Sequence, residues 1–71
     1  METKIVDARG YSCPQPVLMT KKALEGLSSG RAEVLVDTVT SRENVMRYGE
    51  HAGWSASFEE NDGGYKVILT K

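Results

Sequence analysis

Apolar residues recur along this chain in two different rhythms, and the switches between them mark its elements. Lys4 to Val6 is a short apolar-centred segment that reads as a strand ending at Asp7, and Ala8 to Ser12 form the loop that follows. From Pro14 to about Leu27 the spacing becomes helical. Val17, Thr20, Ala23, Leu24 and Leu27 fall on one arc with Met19 at its edge, while Lys21, Lys22 and Glu25 fall opposite. Ser28-Ser29-Gly30 ends that helix, and Ala32 to Val36, enriched in β-branched residues, predicts the next strand.

The second half repeats the alternation of rhythms. Thr40-Ser41-Arg42-Glu43 has the spacing of a capping box, so a second helix is expected to start there. It turns Val45, Tyr48, Gly49 and Ala52 inward, sets Glu43 four residues before Arg47 on the solvent side, and stops at Gly53. Trp54 to Phe58 alternates apolar with polar, Asn61-Asp62-Gly63-Gly64 supplies a turn, and Tyr65 to Leu69 alternates again, which predicts a β-hairpin. The order is β-α-β-α-β-β. Right-handed crossovers then give a two-layer α/β (α+β) sandwich: a four-stranded mixed sheet with both helices on one face, in one domain spanning residues 1–71. Parallel first and second strands send both helix N-termini to the same sheet edge, so Cys13 is expected near the loop Asp37 to Ser41, where open α/β sheets carry function.

Composition narrows what such a domain does. With 71 residues the core buries only about 60% of the unfolded surface. A formal net charge of −1, with both signs interspersed, is not the footprint of a protein that grips nucleic acid directly. No apolar run approaches the roughly 20 residues of a membrane span, so no membrane partner is expected. The single cysteine excludes an internal disulfide framework, and no signal-peptide pattern appears, so the reducing cytoplasm is the expectation, with a monomer as the expected state.

That cysteine, Cys13, is the residue on which chemistry turns. It is expected at the N-cap, with Pro14 at the first helical position and Pro16 at the third, where missing N–H groups break no helical bond. A thiolate there faces unpaired N–H groups and the positive end of the helix dipole, and is expected to titrate below the roughly 8.5 of a free thiol. The bland alternative is a small buried apolar residue. A cysteine hydrolase needs a neighbouring base, and the only histidine, His51, lies about 15 Å away down the second helix. One cysteine and one distant histidine make no zinc site, and dithiol exchange lacks its second thiol. A persulfide on Cys13, taken from one protein and handed to another, fits what remains: a sulfurtransferase-like relay with no catalytic dyad, no metal and no cofactor beyond the covalent persulfide. Leu18 projects outward one turn after Pro14 as a docking contact, and Arg9, Lys21 and Lys22 are placed to guide an acidic partner or steady a persulfide anion. Asp7 and Gly10 read as loop structure, the one accepting backbone hydrogen bonds and the other allowing a left-handed turn. Arg42 is a further binding candidate on the same edge.

Cys13-Pro14-Gln15-Pro16, with Asp7 and Gly10 before it, resembles the Cys-Pro-x-Pro motif of the TusA (SirA/YedF-like) family of small sulfur carriers, and the likeness extends over the whole chain. It implies that Cys13 is loaded by a cysteine desulfurase or rhodanese-like donor and unloaded onto a downstream acceptor protein. In TusA itself the relay leads to thiolation of a tRNA wobble uridine. The second half departs from that pattern: Asp37-Thr-Val-Thr40 stands where TusA-like proteins carry Asp-Asp-Pro, and Asn44-Val-Met-Arg-Tyr48 is more similar to YedF-type members, some associated with selenium metabolism. A selenium-linked carrier and a non-enzymatic regulatory module are the alternatives.

Overall fold

The computed structural model describes residues 3–11 and 14–71. The elements follow the expected order: β1 (Thr3–Asp7), α1 (Gln15–Leu24), β2 (Arg31–Val36), α2 (Val39–His51), β3 (Ser55–Asn61) and β4 (Gly64–Thr70). They form one sheet in the order β1-β2-β4-β3, with β1 parallel to β2 and the other neighbours antiparallel. α1 lies over β1 and β2, α2 covers the rest, and the two helices touch each other. This is the two-layer sandwich that the pattern predicts.

Strand alternation decides which face is covered. Ala32, Val34 and Val36 of β2 and Val67 and Leu69 of β4 are fully buried beneath the helices, joined by Leu24, Val45 and Trp54. Burying each Val or Leu contributes about 1.5–3 kcal/mol, so this short stack supplies most of the stabilisation. Residues one position out of phase face away from the helices. There Arg31 pairs with Glu33 at 2.9 Å, and Lys66 reaches Glu33 at 3.9 Å and Glu59 at 3.3 Å, so charges on β2, β4 and β3 are laced together among Ile5, Leu35 and Ile68.

The helix ends differ from the sequence reading in ways the geometry explains. α1 stops at Leu24 rather than Leu27, because Glu25 is extended (φ −60°, ψ 133°) and Gly26 takes φ +80°. α2 is capped by Thr38, not Thr40: the Thr38 hydroxyl accepts the Ser41 N–H at 3.0 Å. Thr40 is then inside the first turn. Ser41, Val45 and Gly49 form the buried stripe, whereas Ala52, expected inward, is the exposed C-terminal cap. Gly53 has the expected left-handed φ of +91°, and Asp62-Gly63 close the hairpin with φ +47° and +79°, as a two-residue turn of the right-handed strand twist demands.

Candidate functional site

β1 and β2 run parallel, so both deliver their carboxyl ends, and the N-termini of the helices that follow them, to one edge. Ala8 extends the β1–β2 ladder by one bond, its N–H donating to Leu35 O at 2.8 Å, and is fully buried. The chain then turns sharply. Gly10 sits at φ +85°, and since nothing lies within 4 Å of the place a Cβ would occupy, the backbone conformation rather than space selects glycine. Its N–H donates to Asp37 Oδ2 at 2.9 Å, which ties the loop before α1 to the loop before α2. The expected nearness of these two loops is thus realised at Gly10. Ser12 and Cys13 lie outside the described residues.

Asp7 and Arg9 organise the same turn. The Asp7 carboxylate accepts from the Arg9 backbone N–H at 3.2 Å, from Nε at 3.0 Å and from Nη2 at 2.9 Å. These bonds, the guanidinium ones first, lower the Asp7 pKa to about 2. Arg9 was expected to greet a partner or an anion, yet its guanidinium is committed to Asp7, which raises its own pKa, with Asp62 and Asp37 adding to the rise from further off. Half of the Arg9 side chain still meets solvent.

On the far side of Cys13 the start of α1 is one residue later than the sequence suggests. Pro14, at φ −98° and ψ 12°, is the cap residue rather than the first helical one, so Cys13 precedes the cap and the N-cap role expected of it passes to Pro14. Pro16 becomes the second helical residue instead of the third, still where a missing N–H leaves no helical carbonyl unpaired. Pro16 is fully buried, and its carbonyl accepts the buried Thr20 hydroxyl at 2.8 Å. Pro16 and Val17 face Ser41 and Asn44 across the seam between the helices. The helix start is therefore fixed to the body of the domain from both directions, by the Gly10–Asp37 bond before the thiol and by Pro16 after it.

Around this edge the structure leaves specific groups exposed. Leu18 is 50% exposed, and its N–H bonds Pro14 O at 3.1 Å, so it projects one turn beyond the cap as expected. Lys21 and Lys22 are exposed on the same side, three and four residues further on. Arg42 does not belong with them. Its guanidinium lies 4.0 Å from the Phe58 ring centroid and 4.8 Å from that of Tyr65, with only 16% of the side chain exposed, so it is held against these two rings. His51 is exposed at the far end of α2, clear of this edge.

The sequence reading missed two contributors. Because β4 starts beside the end of β2, with Tyr65 paired to Val36, the hairpin turn with Asp62 returns to the same edge. Gly64 permits this approach: a Cβ there would come 2.5 Å from Val36 O. The second is the aromatic pair Phe58 and Tyr65, edge-to-face with centroids 5.9 Å apart, on which Arg42 rests. The antiparallel pairing of β2 with β4 was the signal available for the first; nothing local announces the second.

Fold and site together define a small two-layer α/β domain in which a lone cysteine precedes a helix whose start carries Pro14 and Pro16, at the carboxyl edge of a parallel strand pair. Over residues 4–71 the chain matches the family described as "Sulfurtransferase TusA", and it belongs to that family. It is 39% identical over 70 residues to the "Putative sulfur carrier protein MJ0990" of Methanocaldococcus jannaschii, covering 96% of this chain and 93% of that one. It is 33% identical over 61 residues to the "Putative sulfur carrier protein YrkI" of Bacillus subtilis, covering 86% and 81%. The crystal structure of a SirA-like protein from Desulfitobacterium hafniense superposes with a TM-score of 0.86 at 36% identity, over 97% of this chain and 96% of that one. Among the described residues no helix is long and apolar enough to cross a membrane.

Proposed function

We propose that this protein is a sulfur carrier that holds a persulfide on Cys13 in the cytoplasm and relays it between a cysteine desulfurase or rhodanese-like donor and an acceptor protein. The observation that supports the reading is the family match across residues 4–71, a span that includes the sequence Cys13-Pro14-Gln15-Pro16. In loading, the Cys13 thiolate attacks the terminal sulfur of the donor's persulfide. A new S–S bond forms to Cys13, the donor's own S–S bond breaks, and the donor cysteine leaves as a thiolate, so no external oxidant or reductant is needed. Unloading is the same exchange with the acceptor as nucleophile. The chain's part is to present an ionised thiol at the positive end of α1 on a start held by Asp37 and Pro16.

Incubation with a cysteine desulfurase and cysteine, followed by intact mass measurement, is expected to show gain of one sulfur that Cys13→Ser abolishes. Absence of an adduct with donors of both classes refutes the relay. The alkylation rate of Cys13 against pH is expected to reach half-maximum below about 8.5, the value of a free thiol. A midpoint at or above that value removes the helix-terminus activation.

A further inference from the structure

A second exposed surface flanks the thiol-bearing edge, on the opposite side from Leu18. Val39, the first residue of α2, is 49% exposed, and Phe58 of β3 is 43% exposed, both large fractions for apolar side chains in so small a domain. Arg42 lies one turn along from Val39 and stacks on Phe58 and Tyr65, which joins the helix residue to the two strand residues in one patch. Within this stack Arg42 Nε is buried and unbonded, while Phe58 keeps a face to solvent. A guanidinium held against two rings loses little further side-chain freedom on contact.

The exposed carboxylates around this patch are Glu43, Glu60 and Asp62, set against Arg47 one turn after Glu43, while Arg9 near Asp62 is already paired with Asp7. Glu43 lies 3.9 Å from the Arg42 guanidinium with 60% of its side chain exposed, so it partly offsets the one cation at the centre. Glu60 is exposed and pairs directly with Tyr65 across β3 and β4, and Asp62 follows it in the turn. The α1 side has the opposite character: Leu18 stands beside exposed Lys21 and Lys22, with no acidic residue in the helix. A carboxylate rim repels a nucleic acid strand, which otherwise suits an aromatic and arginine platform. It suits a protein whose apolar anchor is ringed by lysine or arginine.

We propose that the Val39–Arg42–Phe58–Tyr65 patch docks a partner protein through an apolar anchor flanked by basic residues, separately from the Leu18–Lys21–Lys22 side. This deepens the sulfur-carrier reading and rests on it for its biological purpose. Asp37, two residues before Val39, holds Gly10, and Tyr65 pairs with Val36, so a partner seated here lies beside the loop that leads to Cys13. Opposite charge rims let donor and acceptor recognise different sides of one thiol.

The test uses two short peptides that share a Leu-Phe anchor, one flanked by lysines and the other by glutamates, titrated into the labelled protein and followed by amide chemical shifts. The lysine peptide is expected to move the signals of Val39, Arg42, Phe58 and Tyr65. Its affinity should fall severalfold between about 0.05 and about 0.3 M salt. Phe58→Ser should weaken it about tenfold, as loss of an anchoring contact does. Glu60→Lys, which keeps every apolar contact, should weaken it too and guards against misfolding of the first variant. Equal binding of the glutamate peptide, shifts confined to Leu18–Lys22, binding of a single-stranded RNA at the patch, or self-association through it each overturns the proposal, as does no shift at millimolar peptide. Loading of the unaltered protein with sulfur by a desulfurase, read by mass, keeps failure of this proposal distinct from failure of the carrier reading.

Discussion

Replacing Asp37 by alanine removes a side-chain bond that joins the thiol loop to the start of α2, the 2.9 Å contact from Gly10 N–H. A hydrogen bond to a carboxylate contributes about 1.5–3 kcal/mol when sheltered. Both partners here are exposed, so water and salt reduce this to about 1 kcal/mol. The Ala8–Leu35 bond and the whole β1–β2 ladder survive the change, so the loss is local to the turn. About 1 kcal/mol corresponds to about a fivefold rise in the detached population of the loop. Amide hydrogen exchange reads this directly. Gly10 is expected to exchange about fivefold faster in Asp37→Ala, while Val34 and Val67 in the central strands keep their protection. Asp37→Asn retains an acceptor without the charge, and its Gly10 amide is expected to fall between the other two. An unchanged Gly10 rate in the alanine variant refutes the clamp, and equal acceleration at Val34 and Val67 shows that Asp37 acts on global stability instead.

Three other perturbations separate terms that compete in the fold. Asp7, with its pKa lowered to about 2 from 3.8, contributes stability that is fully present above the unfolded value and is lost as pH falls through the folded one. The thermal stability gap between wild type and Asp7→Asn is therefore expected to shrink from pH 4 toward pH 2; a gap that widens there reverses the assignment. Gly49→Ala gains about 1 kcal/mol of helix propensity but places a Cβ 2.5 Å from Leu69 Cδ2 in the closed core, so overpacking of about 1–3 kcal/mol wins. Denaturant unfolding should show net destabilisation that is smaller when Leu69→Val makes room. Thr38→Ala is expected to destabilise by about 1 kcal/mol through loss of the Ser41 cap, whereas Thr40→Ala, within the first turn, changes unfolding little.

How much of this was legible in the sequence depended on how local each cause is. Gly10, Gly53 and the Asp62-Gly63 turn were readable because a positive φ is a property of one residue and its neighbours. The cap of α2 was misread because Thr38 and Thr40 offer the same hydroxyl, and only the path out of β2 decides which one meets an end-of-helix N–H. Pro16 was legible as a helix-start residue but not as a core residue, since its burial comes from α2 closing over it. Arg42 was legible as a residue of this edge, but its packing was not. Its stacking partners come from β3 and β4, and no spacing within α2 reveals them.

The uncovered face of the sheet has a role beyond wetting. Lys66 sits opposite both Leu35 and Glu59 in the strand register and reaches diagonally to Glu33, so its two ion pairs exist only when β2, β4 and β3 are aligned as found. A slip of one residue in β4 would turn Val67 and Leu69 outward and drive the lysine charge under the helices, where no carboxylate waits among the core residues. Surface charges that contribute little to stability one by one thus act together as a proofreader of strand alignment. They favour the single pairing in which the hairpin turn comes to rest beside the thiol loop.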